Sequence, residues 1–470
     1  MFTQRLARFV IDTRLEDIPA AALDGARAAI TDTIGCAIAG SIEQTAELAA
    51  AWVQHTDARP QSTVWGRALR TSPAEAAFAN GVASHALDFD DSLPSLRGHP
   101  SATMVPAALA VAEVTGASGA SVLAAYVIGL EIAGKLGRAL GVPHYVHGWH
   151  STATVGAFSA TAVAARLWKL DAAQLQTAWG LAASQTAGLV KNFGTMTKPF
   201  HAGHAARTGV LSAWMAHHGF TANTAIFDDG GFLATYGRGG GEPLESLVEM
   251  LGKPWEMSKP GIYVKRWPCC YCNHRPVGGI LQLIDEHDIQ ADEVESVEIG
   301  FVRGSDEALG GPNPQTGLEG KFSMEYVAAA TLLDRKLTLE TFTDPMVQRP
   351  EARALTAKVR RYRVDDEKLY SSKFGYTDVA IGTKRGVFKM RAERVSGSPD
   401  WPLTTSELAA KFLDCASRVL GNRGAEDLHE RLAGLGTASD VTAAIQATVP
   451  RASVERGRAD AAATATAEQA

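Results

Sequence analysis

The chain has 470 residues, 46% hydrophobic and 20% charged, long enough to bury a full core and to hold two domains. Its formal net charge of −6 and pI near 6.1 argue against a nucleic-acid partner, which asks for a basic face, but leave room for a local cationic cluster that takes a small anion. No uninterrupted apolar run reaches the ~18 residues of a membrane span, and five cysteines in so long a chain make no disulfide framework, so a reducing cytoplasm and no membrane partner are expected.

The start, M-F-T-Q-R-L-A-R-F-V-I-D-T-R, lacks a signal-peptide core. Its apolar spacing (Phe2, Leu6, Phe9, Val10) is that of an ordinary first helix rather than of an Arg-rich transit segment. Helical periodicity and alanine content then predict helices at 21–39, 74–87, 103–115, 121–140, 151–168, 172–189 and 202–219, with Pro106 placed in a first turn. Small residues along them, as in G-A-F-S-A-T-A, let backbones approach closely and suit a large bundle with buried central helices.

The texture changes near residue 255, where Pro, Trp and Cys gather. V-E-S-V-E-I-G-F-V alternates as a half-buried strand, 321–333 reads as a helix, and 339–343 leads into a short one. Segments 359–364 and 378–394 read as strands, the latter folded at G-T-K-R-G. Helical pattern returns at 404–420 and 425–432. The expected fold is mainly α: a large all-helical domain built from both chain ends (1–262 and 399–450) with an inserted smaller α+β domain (263–398). The tail, 451–470, lacks large apolar residues, and disorder is expected there.

The densest chemistry lies in H-A-L-D-F-D-D-S-L-P-S-L-R-G-H-P, residues 85–100. Three carboxylates (Asp88, Asp90, Asp91), Ser92, Arg97 and His99 fall between two alanine-rich helices. Proton transfer needs such a mixture, because it needs a donor and an acceptor tuned toward working pH. An isolated histidine before a helix most often caps or packs; the acidic neighbours favour a working role for His99, with Asp88 or Asp91 orienting one ring nitrogen. His150, in H-G-W-H-S-T, precedes another helix, whose N–H groups attract carboxylates. Lys198, in T-M-T-K-P-F-H-A-G-H-A-A, would pair with an acidic side chain or bind a substrate carboxylate, with His201 close by. Lys265, Arg266 and Cys270 form a third dense stretch, V-K-R-W-P-C-C-Y-C-N-H.

Several tempting motifs fail on their spacing. G-R-G-G-G at 237–241 lacks the G-K-[ST] of a phosphate loop. D-F-D-D does not place carboxylates at the i, i+4 spacing of helical magnesium sites. Cys269 and Cys272 imitate half a zinc site with no second half, and His201 and His204 are not spaced as a helical zinc pair. No metal and no cofactor are expected.

H-A-L-D-F-D-D-S, G-H-P-S, G-W-H-S-T, K-P-F-H-A-G-H-A-A, K-R-W-P-C-C and K-F-S-M-E-Y-V-A-A-A, in this order, resemble one family across roughly residues 5–450. It is the MmgE/PrpD group of 2-methylcitrate dehydratases, cis-aconitate decarboxylases and iminodisuccinate epimerases. The resemblance implies the helical domain with inserted lid, an active site between the lobes and a homodimer. It also implies functional residues at Asp88, Ser92, His99, His150, Lys198 and Lys265. Ser92 stands where decarboxylase-like relatives carry Thr, and Cys270 where the decarboxylase has a catalytic histidine. The segment before His99 is one residue longer and contains Arg97. The expected chemistry is general acid/base catalysis by His99 and His150, supported by Asp88 and Lys198, on a small anionic di- or tricarboxylate. Ser92, Arg97, Lys265, Arg266, Cys270 and His201 are the expected substrate-binding residues. Dehydration of a 2-methylcitrate-type acid comes first, epimerisation second, then decarboxylation; a non-catalytic carboxylate binder is the alternative of another class.

Overall fold

The computed structural model describes residues 1–368 and 375–450, so the expected disorder of the tail concerns residues outside this range. The chain is mainly helical with a small sheet. The first part runs through α1 (Phe2–Asp12), α2 (Ala20–Gly40), α3 (Gln44–His55), α4 (Pro73–Ala86), α5 (Ser101–Thr115), α6 (Gly119–Val146), α7 (Ser151–Thr154), α8 (Gly156–Leu167), α9 (Ala172–Ala183) and α10 (Thr197–His217). It is not purely helical: Ser62–Val64 and Leu69–Thr71 pair as a short antiparallel hairpin, β1–β2.

Apolar periodicity accounts for α1, whose Phe2, Leu6 and Val10 are buried, with Phe9 packed against Trp255. α5 begins two residues earlier than expected, so Pro106 lies beyond its first turn, where its missing N–H removes a helical hydrogen bond. α6 has the length and apolarity of a membrane span, but 89% of its most apolar window is buried within the fold. Its path breaks at Gly141, where φ is +67°. The helix expected at 151–168 is two, divided at Val155.

The close packing of α4 on α10 places much of the site. A Cβ on Gly81 would lie 2.8 Å from the Gly203 Cα, and one on Gly203 would lie 2.5 Å from the Phe78 carbonyl oxygen. Only paired glycines allow this approach, and it carries the C-terminal end of α4 to the start of α10.

A second core gathers around α11 (His274–His287), β3 (Val294–Phe301), α12 (Met324–Asp334), β4 (Val359–Arg363), β5 (Thr377–Thr383) and β6 (Gly386–Ala392). The sheet order is β4-β3-β5-β6, with β3 parallel to β4 and antiparallel to β5. Val297 and Ile299 of β3 face Ile381 and Val379 of β5 in register, and helices α11 and α12 cover this apolar side. The final long helix, α13 (Thr405–Ala433), returns to pack on α2 and supplies Phe412, Ala416 and Val419 to the first core. The first core thus takes residues from both ends of the chain and the second from the interval between them.

Candidate active site

The cavity of interest encloses about 120 Å³ and is walled by both cores. Asp88, Ser92, Arg97, His99, His150 and Lys198 stand on one side. Cys270, Tyr271, Arg275 and Ser305 stand on the other. By that measure it is many times the space one water needs, as a small organic anion requires.

α4 ends at Ala86, and the chain turns at once through Asp88, whose φ of +51° is left-handed. Such a conformation in a non-glycine residue persists only where surrounding contacts hold it. The turn folds Asp90 back under His85, so that His85 Nδ1 lies 2.9 and 3.0 Å from the two carboxylate oxygens. His85 Nε2 lies 2.8 Å from Lys198 Nζ. An ammonium can only donate, so Nε2 accepts, and the imidazole proton sits on Nδ1 toward Asp90. Burial, chiefly, pushes the His85 pKa down to about 3, with Lys198 adding to it, so this ring is neutral.

Asp88 is the anionic centre. Its Oδ1 accepts from Lys198 at 2.5 Å and lies 3.0 Å from Lys265 Nζ. Burial opposes its ionisation, but Lys198 and then Lys265 overcome that penalty and hold the carboxyl far below the usual range. Its Oδ2 is buried and has no hydrogen-bond partner among the described residues.

His99 is held by the following loop. Leu93 N–H donates to the Gly98 carbonyl, Ser92 exchanges two backbone bonds with Tyr263, and Arg97 takes a φ of +54° at the turn. The His99 N–H donates to Thr152 Oγ1 at 3.0 Å. His99 Nδ1 lies 2.8 Å from the Asp91 carbonyl oxygen and 3.3 Å from Asp90 Oδ2. Both are acceptors, so Nδ1 carries the proton and Nε2 keeps its lone pair, 3.9 Å from Asp88 Oδ1. The orienting groups are the Asp91 main chain and the Asp90 side chain, not the Asp88 or Asp91 carboxylate expected. Burial, then Lys265, lowers the His99 pKa.

Asp91 itself is pushed up to about 8, first by burial and then by Asp90 and Asp32, against the Ser101 hydroxyl that donates to it. Asp90 goes the other way: burial opposes its charge, but His85 and then His99 hold it well below the usual range.

His150 precedes the single turn of α7, too short to act as the anion-binding helix start expected from the sequence. Its ring stands edge-on to Phe193 with centroids 4.8 Å apart, and its Nδ1 lies 3.1 Å from His201 Nδ1. Burial, then Lys198 and His201, lowers its pKa well below the ordinary value. The His201 pKa falls to about 4, mostly through burial.

The remaining expected ligands divide. Ser92, Arg97 and Cys270 are on the wall. A hydrogen bond with the Cys272 thiol lowers the Cys270 pKa. Lys265 is wholly buried and bonded to Asp88, so it stands behind the cavity wall. His201 likewise lies behind His150. Arg266 points away, to Glu407 at 3.0 Å and Ser396 at 3.2 Å on a half-exposed surface, because neighbouring residues of an extended segment face opposite sides. Sequence reasoning passed over His85, although it opens the acidic segment; its spacing of five residues from Asp90 has no meaning until the turn at Asp88 is known. Tyr145, Phe193 and Arg275 on the wall carried no local signal.

His85, Asp88, Asp90 and His99 also place four ligating atoms within 4.8 Å of one another. Lys198 already sets an ammonium against two of them, and Lys265 a second against Asp88, so the protein supplies its own cations there. Among the described residues, no such group of three or more ligands includes the cysteines.

Comparison with known proteins matches residues 4–243 to the MmgE/PrpD N-terminal domain and residues 267–433 to the MmgE/PrpD C-terminal domain. The chain is 28% identical to a human cis-aconitate decarboxylase over 408 residues, covering 83% of this chain and 82% of the relative. A mouse cis-aconitate decarboxylase is 29% identical over 417 residues, covering 85% and 83%. One from Aspergillus terreus is 25% identical over 464 residues and 94% of each chain.

Proposed function

The chain belongs to the MmgE/PrpD family, and from that premise we propose that it is a cofactor-independent lyase acting on a small di- or tricarboxylic acid. The observation that carries the reading is the tautomer of His99. With Nδ1 donating to the Asp91 carbonyl, its Nε2 is a neutral base on the cavity wall. His150, also neutral, serves as the proton donor when His201 Nδ1–H donates to its Nδ1 and leaves the proton on Nε2. His99 removes the proton beside a carboxylate, and the enolate-like charge forms next to the Lys198 ammonium. Arg97 and Arg275 take the substrate's carboxylates. His150 protonates the departing hydroxyl, which makes the enzyme a hydro-lyase of the 2-methylcitrate type.

A second reading is favoured by the relatives, which are named cis-aconitate decarboxylases. In that reaction the same cations hold the retained carboxylates while carbon dioxide leaves, and an imidazole returns a proton to carbon. Cys270 on the wall, where the decarboxylase motif carries histidine, weighs against decarboxylation. The exposed apolar side chains of Leu48 and Trp52 on α3 and of Phe200 and Trp214 on α10 support a homodimer, and five free thiols support a reducing cytoplasm.

Proton NMR in deuterium oxide with methylcitrate, citrate, cis-aconitate and iminodisuccinate tests the assignment. A new alkene from a hydroxy acid is expected. Loss of carbon dioxide from cis-aconitate would select the second reading, and deuterium entry without net conversion would select an epimerase. If no member of the panel exchanges a C–H proton, the acid–base reading fails for these substrates. Full activity after chelation is expected; loss would favour a metal-dependent hydrolase.

A further inference from the structure

Three consecutive carbonyl oxygens just past α4 each accept a hydrogen bond from a different lysine. Lys321 donates to the Leu87 carbonyl at 2.8 Å, Lys265 to that of Asp88 at 2.7 Å, and Lys411 to that of Phe89 at 2.8 Å. Lys265 and Lys321 are buried, and Lys411 nearly so. They arrive from three separate places: the segment entering the second core, the residue three before α12, and the first half of α13.

The need for them follows from the local electrostatics. A helix C-terminus carries partial negative charge, and here two ionised carboxylates follow it within four residues, at Asp88 and Asp90. Buried carbonyls beyond a helix end also lack helical partners and must be satisfied otherwise. An ammonium answers both demands. Lys411 is itself anchored by Asp32 at 2.8 Å and lies 3.9 Å from the centroid of the Phe89 ring.

We propose that Lys321 and Lys411 are positioning residues which, with Lys265, clamp the backbone of residues 87–89 into the left-handed turn that presents Asp88 to Lys198 and Asp90 to His85 and His99. Two clamp members come from the part of the chain that carries the sheet, so docking of that part on the helical core completes the acid–base constellation. The catalytic meaning of the clamp rests on the lyase reading; its mechanical meaning does not.

The test uses Lys321→Met, Lys321→Gln and Lys321→Arg in the full chain, with Lys411→Gln alongside. Amide hydrogen exchange is read on the peptide spanning 85–93, and kcat and KM are measured together. In Lys321→Met, exchange of that peptide rises about tenfold while α8 and β3 keep their protection, since only a local opening is added. The kcat falls about ten- to a hundredfold with KM within about threefold, as expected for a small misplacement of reacting groups. Arg keeps the charge and a donor and restores most of both; Gln, a neutral donor, restores less, and Lys411→Gln shows the same local pattern. If Lys321→Met does not fold, Lys321→Gln decides. Unchanged exchange at 85–93 in the Met and Gln variants overturns the clamp. Raised exchange with unaltered kcat overturns its link to catalysis. If the wild-type protein turns over none of the acids, the lyase reading has failed, and the exchange measurement still decides the clamp.

Discussion

Lys198 Nζ lies 2.5 Å from Asp88 Oδ1, joining the second residue of α10 to the turn that ends α4. The same ammonium sits 5.2 Å from the ring centroids of Phe193 and of Phe322. Breaking a buried ion pair leaves an uncompensated charge, at a cost of about 3–5 kcal/mol. Because Lys265 still faces Asp88 at 3.0 Å, Lys198→Met should lower the unfolding free energy by less than that amount, and the loss in the double variant with Asp88→Asn should be smaller than the sum of the two single losses. Urea denaturation of the wild type, both single variants and the double variant gives the coupling. Strictly additive losses would mean that the contact contributes nothing.

His99→Asn removes the nitrogen that takes the substrate proton. Turnover should fall by about 10²–10⁴, the usual contribution of a positioned base, while calorimetric affinity for a carboxylate ligand stays within about threefold. His150→Asn should behave alike. Undiminished kcat in His99→Asn would remove it from the mechanism.

His201 acts through His150. Removing it takes away one of the influences that depress the His150 pKa, so that pKa should rise. In His201→Ala the His150 ring should titrate at higher pH when followed by NMR, with kcat down about tenfold as for other lost orienting partners. An unmoved His150 titration would show that the contact between the two rings sets no protonation state.

Stability should depend on pH from both sides. Asp91, raised to about 8, binds its proton more tightly folded than unfolded; its contribution is complete below about pH 4 and is lost as pH rises through about 8. Asp91→Asn should flatten the decline in thermal midpoint between about pH 4 and 8. His85 at about 3 and His201 at about 4 work in the opposite sense. Folding keeps them neutral, so stability present above about pH 6.5 is lost as pH falls toward those values. A wild-type midpoint that does not fall on acidification below about pH 6 would contradict the neutral histidine cluster.

Arg266→Ala should leave KM unchanged within about twofold, because its half-exposed pair with Glu407 is of the kind worth at most about 1 kcal/mol. A large rise in KM would return this residue to the site.

Helical periodicity, the alternation in V-E-S-V-E-I-G-F-V and the turn in G-T-K-R-G were enough to place most elements, since each is a local pattern of burial. The density of ionisable groups around Asp88 and His99, and the order of the segments holding His150 and Lys198, were likewise local properties, and folding brings all four side chains to one cavity wall. Tertiary structure alone decided the rest. Whether Lys265 or Arg266 faces the site depends on which side of one extended segment meets the core. His85 gains its role only when a left-handed Asp88 folds Asp90 beneath it, and His201 only when α10 starts early enough to reach His150. A proton's place on an imidazole is set by the acceptor a few ångströms away, and that neighbour comes from a remote part of the chain.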